Sequence, residues 1–289
     1  MTALAVPSFS TAAGLDPAVR AAVAGSLPKL EITVQAYGTV DELCSNIRSA
    51  LARGLPEFAC SPVKHDGRLA IVGSGWSMPD YVELIRSHRA KKQPIIAVKA
   101  AHDYLVERGI EPDLWVNLDP RDRTDGIQRL NDRTIYMPAS RCTPSTFDYL
   151  KGRRVLLWHS WAPGPEVDAI GPGKLAVGGG TTSGLRAINI AYLMGFRHVT
   201  LYGFDSCNNE KGEKRFTGAM TGAAIDVYVG GSGKRFTCNM AMAQQANEFQ
   251  ELFNVMPDLH VEAVGPGLIA AILEERLNRR TEKQHVISK

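Results

Sequence analysis

From Leu69 onward the chain alternates short apolar runs with amphipathic stretches. The runs Leu69–Gly73, Pro94–Val98, Asp113–Leu118, Thr134–Met137, Val155–Trp158 and Val199–Tyr202 are strand-length and bounded by glycine, proline or charge. Segments long enough for a helix separate most of them. Strands that are apolar along nearly their whole length are buried on both faces, and helices between them make a parallel sheet the expected solution. The pattern predicts an α/β protein with a doubly wound, mostly parallel, Rossmann-like sheet. Ligands of such sheets bind outside the carboxyl ends of the strands, so the residues that follow each run are the candidates for chemistry.

The first 66 residues read differently. Leu30 to Ala36 alternates apolar and polar positions like a half-buried strand, and Val40, Leu43, Ile47 and Leu51 recur at helical spacing through Ala52. Thr39 is placed to cap that helix, with Asp41 and Glu42 at the positive end of its dipole. These elements predict an N-terminal strand–helix appendage over residues 1–66 and a main domain over residues 67–289. Within the main domain the string KRFT occurs at Lys214–Thr217 and again at Lys234–Thr237, around Gly230, Gly231 and Gly233. A hairpin or lid inserted after a central strand is expected there, before a helix over Met240–Phe253 resumes the fold.

Composition narrows the class. The 289 residues are 44% hydrophobic and 22% charged, which excludes a disordered, collagen-like or disulfide-scaffold chain. Thirty-three basic and thirty acidic side chains leave +3, so no global field calls for nucleic acid or an anionic membrane. Cys44, Cys60, Cys142, Cys207 and Cys238 are odd in number and form no CxxC, which points to a reducing cytoplasm. No signal-peptide pattern and no long apolar window is present, so no membrane span is expected.

Four loops carry candidate chemistry. Gly73, Ser74 and Gly75 join the first apolar run to a helix start at Pro79, where glycines admit a ligand to the backbone and free N–H groups face phosphate; a tight turn without a ligand is the alternative. Asp119 ends the third run, where a carboxylate can hold a divalent metal or a ribose hydroxyl, or simply cap a turn. Gly178-Gly179-Gly180-Thr181-Thr182-Ser183-Gly184 opens a helix with donors arranged as an anion nest, or as an ordinary cap. Asp205 follows the run Val199–Tyr202 and faces Asp119 across one crevice if their strands are neighbours. His159, just past Val155–Trp158, is the histidine best placed as a base, against the alternative of a packed side chain. No HxH, HExxH or Cys/His pattern supports a transition-metal site.

Taken in order, IVGSGWSM, GIEPDLWVNLDP and GGGTTSGLRAINIAYLMGFRHVTLYGFDS resemble the MptE-like family, which includes archaeal 6-hydroxymethylpterin diphosphokinases and bacterial motility-associated-factor glycosyltransferases. The TSG–helix–GF–strand–GxD layout is also similar to that of CMP-sialic-acid-dependent sialyltransferases. The resemblance covers roughly residues 69–273. It implies that Gly73, Ser74 and Gly75 bind nucleotide phosphates or ribose, that Thr182, Ser183 and Gly184 line the same nucleotide, and that Asp119 and Asp205 occupy the acidic positions. The chain departs from the family pattern in three places. Gly75-Trp76-Ser77 stands where GPS is usual, Asn117-Leu118-Asp119-Pro120 stands for DLDG, and no histidine lies between Ser206 and Leu259.

The expected function is a nucleotide-dependent transferase. Glycosyl transfer from a nucleotide-sugar to an unidentified acceptor leads, with Asp119, Asp205 and His159 as catalytic candidates, Gly179 and Gly180 joining the nucleotide-binding set, and Asp119 as the ligand of an Mg²⁺ ion. The alternatives are an Mg²⁺-dependent diphosphokinase acting from ATP, with Asp119 and either Asp205 or Asp122 as ligands, and a non-catalytic nucleotide- or partner-binding protein that works through the segment from Cys207 to Cys238.

Overall fold

The computed structural model describes residues 37–61, 63–230 and 232–287, so the expected strand at Leu30–Ala36 lies outside the described residues. Six parallel strands make the central sheet: β1 (His65–Val72), β2 (Ile95–Val98), β3 (Leu114–Asn117), β4 (Ile135–Pro138), β7 (Phe196–Tyr202) and β10 (His260–Val264). Their spatial order is β10-β7-β1-β2-β3-β4. The chain winds outward from β1 to β4, returns through α6 (Ser183–Leu193), and continues on the other side of β1 with β7 and β10. The reversal between β1 and β7 is a topological switch point, the place where such sheets open a ligand crevice.

Side-chain alternation sends each strand into two layers. Leu69 and Ile71 of β1 join Val199 and Leu201 of β7 in the larger core, with Leu185 and Ile188 of α6, Phe249 of α7 (Met240–Val255) and Leu268 and Ile269 of α8 (Leu268–Ile287). On the opposite face Ala70, Val72 and Tyr202 meet Ile85 of α2 (Val82–Ala90) and Leu105 of α3 (Ala101–Val106). Burial on both faces accounts for the unbroken apolar runs of β1 and β2.

The helix at Val40–Leu51, α1, forms with the expected cap: the Thr39 hydroxyl accepts from the Glu42 N–H, and the Glu42 carboxylate accepts from the Thr39 N–H. Its buried stripe is Leu43, Cys44, Ile47 and Ala50, and Val40 is exposed because the helix turns that first residue away from α4 (Pro144–Tyr149) and α5 (Pro165–Ile170), on which it packs.

Three elements differ from the sequence pattern. Val155–Trp158 makes only isolated parallel bridges, from Val155 and Trp158 to β4 and from Leu157 to Glu57. The ladder is interrupted because Pro138 of β4 has no N–H to offer, while Leu157 exchanges backbone hydrogen bonds with Pro56 and Phe58 on the outer side. Regular pairing resumes one residue later between β5 (His159–Ser160) and β6 (Ala176–Val177). The edge strand β10 is half exposed and carries no continuous apolar run, so hydrophobic patterning misses it. The hairpin pairs β8 (Ile225–Tyr228) with β9 (Arg235–Cys238) and uses only the second KRFT string; the first belongs to a separate loop before it. The five cysteines are free, and no helix among the described residues is long and apolar enough to cross a membrane.

The switch point is held shut by close backbone contact. Gly75 donates its N–H to the Gly203 carbonyl at 2.9 Å, and a Cβ on Gly75 would stand 2.3 Å from an Asp205 carboxylate oxygen and 2.5 Å from the Gly203 carbonyl oxygen. Glycine is required there by packing. Gly75→Ala is expected to lower stability by about 1–3 kcal/mol through overpacking, read as a lower urea midpoint at unchanged m-value.

Candidate functional site

The site builds up from the residues that follow β2 and β3. Asp119 is buried, with only 5% of its surface exposed, so its charge must find partners. One carboxylate oxygen accepts from Lys99 Nζ at 2.9 Å and Arg121 Nη2 at 2.7 Å, and the other accepts from Arg121 Nε at 2.8 Å. Arg123 stands 3.6 Å away. Burial pushes the Asp119 carboxyl upward, but the Arg121 fork and the Lys99 ammonium outweigh it and hold the group well below the usual carboxylate range. Lys99 is depressed by its own burial, against the pull of Asp119.

Local backbone geometry puts these groups there. Lys99 has φ +52°, a left-handed conformation costly for a side-chain-bearing residue, and is fixed by its N–H to the Val116 carbonyl and by Trp115 Nε1 donating to its carbonyl at 3.1 Å. Asn117, where the resemblance has an acidic residue, is fully buried and accepts the Asp119 N–H through Oδ1 while donating toward Cys142 Sγ. Asp122 is turned to the Thr124 N–H and hydroxyl. Three cationic side chains, Lys99, Arg121 and Arg123, therefore gather about one buried carboxylate.

At the switch point itself, Asp205 accepts the Ser77 N–H at 3.0 Å and the Ser77 hydroxyl at 2.5 Å. Burial raises its carboxyl above the usual value, and the Ser77 hydrogen bonds only partly offset this. The N–H groups of Gly73 and Gly75 are committed to the carbonyls of Tyr202 and Gly203. Of the first glycine loop, Gly73, Ser74 and Gly75, the two glycines thus serve strand-to-strand contact, and Ser74 offers its carbonyl to the Phe216 N–H.

The second glycine loop lies beside β3. The Ser183 hydroxyl accepts the Leu118 N–H at 3.0 Å, and the Thr182 hydroxyl caps α6 by accepting the Leu185 N–H. Gly179 and Gly180 have φ +84° and +95°, and a Cβ on either would strike Asn189 or Leu185. Gly184 admits the Phe204 ring in the same way. An anion does sit in this nest: both the N–H and the hydroxyl of Thr181 donate to Glu248 of α7, at 2.9 Å each. The loop binds a carboxylate, but one that the protein supplies.

The acidic pair does not share one crevice. Asp119 follows β3 and Asp205 follows β7, and β1 and β2 lie between them, three strand spacings or about 14 Å. His159 is farther still along the sheet, beyond β4, where its Nε2 meets Glu57 at 3.1 Å. Burial lowers its imidazole, with Glu57 opposing. The donor set also does not fit Mg²⁺. Both Asp119 oxygens are engaged by cations, Asp205 is engaged by Ser77, and among the described residues no group of three His, Cys, Asp or Glu side chains could hold a metal ion. The residues missed by sequence reading are Lys99, Arg121 and Arg123. Lys99 immediately follows the run Pro94–Val98, a signal passed over in favour of glycines and carboxylates.

Fold and site together define a doubly wound α/β protein with a cationic cluster at the carboxyl edge of its sheet. The chain belongs to the 6-hydroxymethylpterin diphosphokinase MptE-like family, whose model matches residues 42–211, more than half of the sequence. A comparison with curated proteins finds no match. Among solved structures, a MAf glycosyltransferase from Magnetospirillum magneticum AMB-1 is similar at TM-score 0.62 and 15% identity over 92% of this chain, and the chain spans 46% of that protein's length. At that identity the likeness is one of fold. A mammalian sialyltransferase in complex with Gal-beta-1-3GalNAc-ortho-nitrophenol matches at TM-score 0.40 and 13% identity, over 79% of this chain and 80% of that one.

Two outcomes follow from these environments. Asp119→Asn is expected to cost about 2–3 kcal/mol, less than a fully enclosed ion pair because Lys99 and Arg121 are partly exposed. Its folded pKa is depressed, so the contribution is complete above the unfolded value near 3.9 and is lost only in stronger acid. Urea titrations of wild type and variant should therefore differ by a constant from about pH 5 to pH 8. His159 and His88 are held neutral by burial, so the unfolded chain takes up protons first as pH falls. Stability should decline below about pH 6.5, and His159→Asn should remove part of that decline, leaving the share due to His88.

Proposed function

We propose that this protein is a nucleotide-dependent transferase, and that it transfers a glycosyl group from a nucleotide-sugar to an acceptor. The observation that carries this reading is the cationic surplus around Asp119 at the carboxyl ends of β2 and β3. Membership of a family named for a diphosphokinase and a fold shared with a glycosyltransferase support the transferase class.

In this reading Asp119 is neither nucleophile nor metal ligand. It holds Lys99 and the Arg121 fork in fixed orientations, so their remaining N–H groups meet the non-bridging oxygens of the donor's phosphate. As the bond between the anomeric carbon and the phosphate oxygen breaks and the acceptor hydroxyl oxygen bonds to that carbon, the hydroxyl proton passes to the departing phosphate or to water, and preset cations stabilise the negative charge that grows on the phosphate oxygens. Asp205 and His159, each engaged by a structural partner, are left out of the base role. Glycosyl transfer is favoured over metal-dependent diphosphoryl transfer because the carboxylates that would hold Mg²⁺ are already spent on cations or on Ser77. A cytoplasmic setting fits a nucleotide-using protein with four buried free thiols.

Thermal-shift titration with CMP, UDP, GDP and ATP, each with and without Mg²⁺, tests the reading, since a ligand bound to the folded state raises apparent stability by mass action. The expected result is a metal-independent rise with a pyrimidine or guanine nucleotide that Arg121→Ala abolishes. A rise seen only with ATP and Mg²⁺ would favour the diphosphokinase alternative, and no rise with any nucleotide would favour a non-catalytic protein.

A further inference from the structure

The chain ahead of α1 reaches the Asp119 cluster through one side chain. The capping box of Thr39 and Glu42 fixes the first turn of α1, and Asn46 ties that helix to the loop after β4 by donating Nδ2–H to the Arg141 carbonyl at 3.1 Å. Just ahead of the cap, Gly38 has φ +88°, a left-handed conformation that glycine adopts without steric cost. Tyr37 is thereby delivered to the turn after β3, where the guanidinium carbon of Arg121 lies over its ring, 3.4 Å from the centre. Tyr37 precedes the residues that the family model matches, 42–211, so the contact belongs to a part of this chain outside that match.

The two faces of the Tyr37 ring have different surroundings. Arg121 commits Nε and Nη2 to Asp119, so its orientation is set from the buried side and its flat face is turned to the tyrosine. The other side of the ring is open: Tyr37 is 57% exposed, more than Trp161 or Tyr149, the other well-exposed aromatic side chains among the described residues. Two further tyrosines lie under arginines, and each has a second partner. Tyr104 meets the Phe216 ring at 4.7 Å, and the Tyr192 hydroxyl donates to Asp258 at 2.6 Å. Beyond Arg121, Tyr37 has none among the described residues. An open aromatic face beside Lys99, Arg121 and Arg123 suits a ligand that joins a flat ring to an anion, since the cations hold the charge and the tyrosine covers the ring.

We propose that Tyr37 is the stacking platform for the base of the bound nucleotide, placed so that the phosphates of the same nucleotide meet Lys99, Arg121 and Arg123. The inference rests on the transferase reading above and adds to it the place of the base. A neutral base gives the cations nothing to hold, whereas every base has a π-face that a tyrosine ring can cover. Tyr37 therefore supplies affinity for nucleotides as a class and leaves the choice among bases to other contacts. The competing account is that the ring only steadies Arg121, and the two differ in what happens to a ligand that has no base.

Isothermal titration of CMP, UDP, GDP and ATP, with inorganic pyrophosphate and ribose 5-phosphate as base-free counterparts, into the full chain and its variants tests this. Tyr37→Ala, a change at an exposed side chain, is expected to weaken every nucleotide that wild type binds by about tenfold and the base-free ligands by less than about threefold. Tyr37→Phe keeps the ring and should stay within about threefold of wild type for all of them. Arg121→Lys keeps the charge without the flat fork, and Tyr37→Ala should still cost nucleotides about tenfold in that background, because a direct contact with the base adds to the loss at Arg121. Unchanged nucleotide affinity in Tyr37→Ala, equal losses with and without a base, or a Tyr37→Ala loss that disappears in the Arg121→Lys background would each overturn the proposal. Nucleotide binding that depends on Arg121 but not on Tyr37 leaves the transferase reading standing; if wild type binds no nucleotide, both fall.

Discussion

A carboxylate that cannot reach water organises the functional edge of this protein. Asp119 is enclosed at the end of β3, and burial of an unpaired charge there would cost more than the fold's whole margin of stability. The chain answers with Lys99 just after β2 and Arg121 from the turn after β3, and the answer overshoots: Arg123 adds charge that the carboxylate cannot neutralise. A purely structural ion pair needs no such excess. Lys99 is held there in a left-handed backbone conformation that side-chain-bearing residues rarely adopt.

The glycine loops play the complementary part. Their sequence resembles phosphate-binding turns, yet Gly73 and Gly75 spend their N–H groups on β7, and Gly179 and Gly180 make room for Asn189 and Leu185. They bring backbones together, while the side chains that follow β2 and β3 converge on Asp119. Ser183 shows how tightly this is done: its hydroxyl accepts the Leu118 N–H, which ties the start of α6 to the segment that presents Asp119. The Glu248 carboxylate in the Thr181 nest shows that a loop can be chemically suited to an anion and already hold one.

The contrast explains what was legible in the sequence. The sheet was, because stretches buried on both faces must be largely apolar, as Leu69–Val72 of β1, Ile95–Val98 of β2, Leu114–Val116 of β3 and the end of β7 are. The helix at Val40–Leu51 was, because its cap and stripe are local. The edge strand β10 was not, since exposure erases its pattern, and the run Val155–Trp158 gave no sign that its ladder is interrupted opposite Pro138. Asp119 was found because it follows a strand, but its partners come from the end of the neighbouring strand and from the turn just beyond it. Strand order decides who meets whom, and that order, β7-β1-β2-β3, also separates Asp119 from Asp205.

The division between scaffold and chemistry then follows from donor type. Backbone N–H groups at a switch point are valuable to the fold itself, because buried peptide groups must be paired, and a protein that closes its crevice with Gly75 on Gly203 has fewer of them to give a ligand. Charged side chains suffer the opposite constraint. Gathered in surplus they repel one another, and only an anion from outside can balance them. In this molecule the backbone holds the two halves of the sheet together, and under the proposed function the side chains are left to recognise the ligand, so that specificity would rest on where the ends of β2 and β3 place Lys99, Arg121 and Arg123.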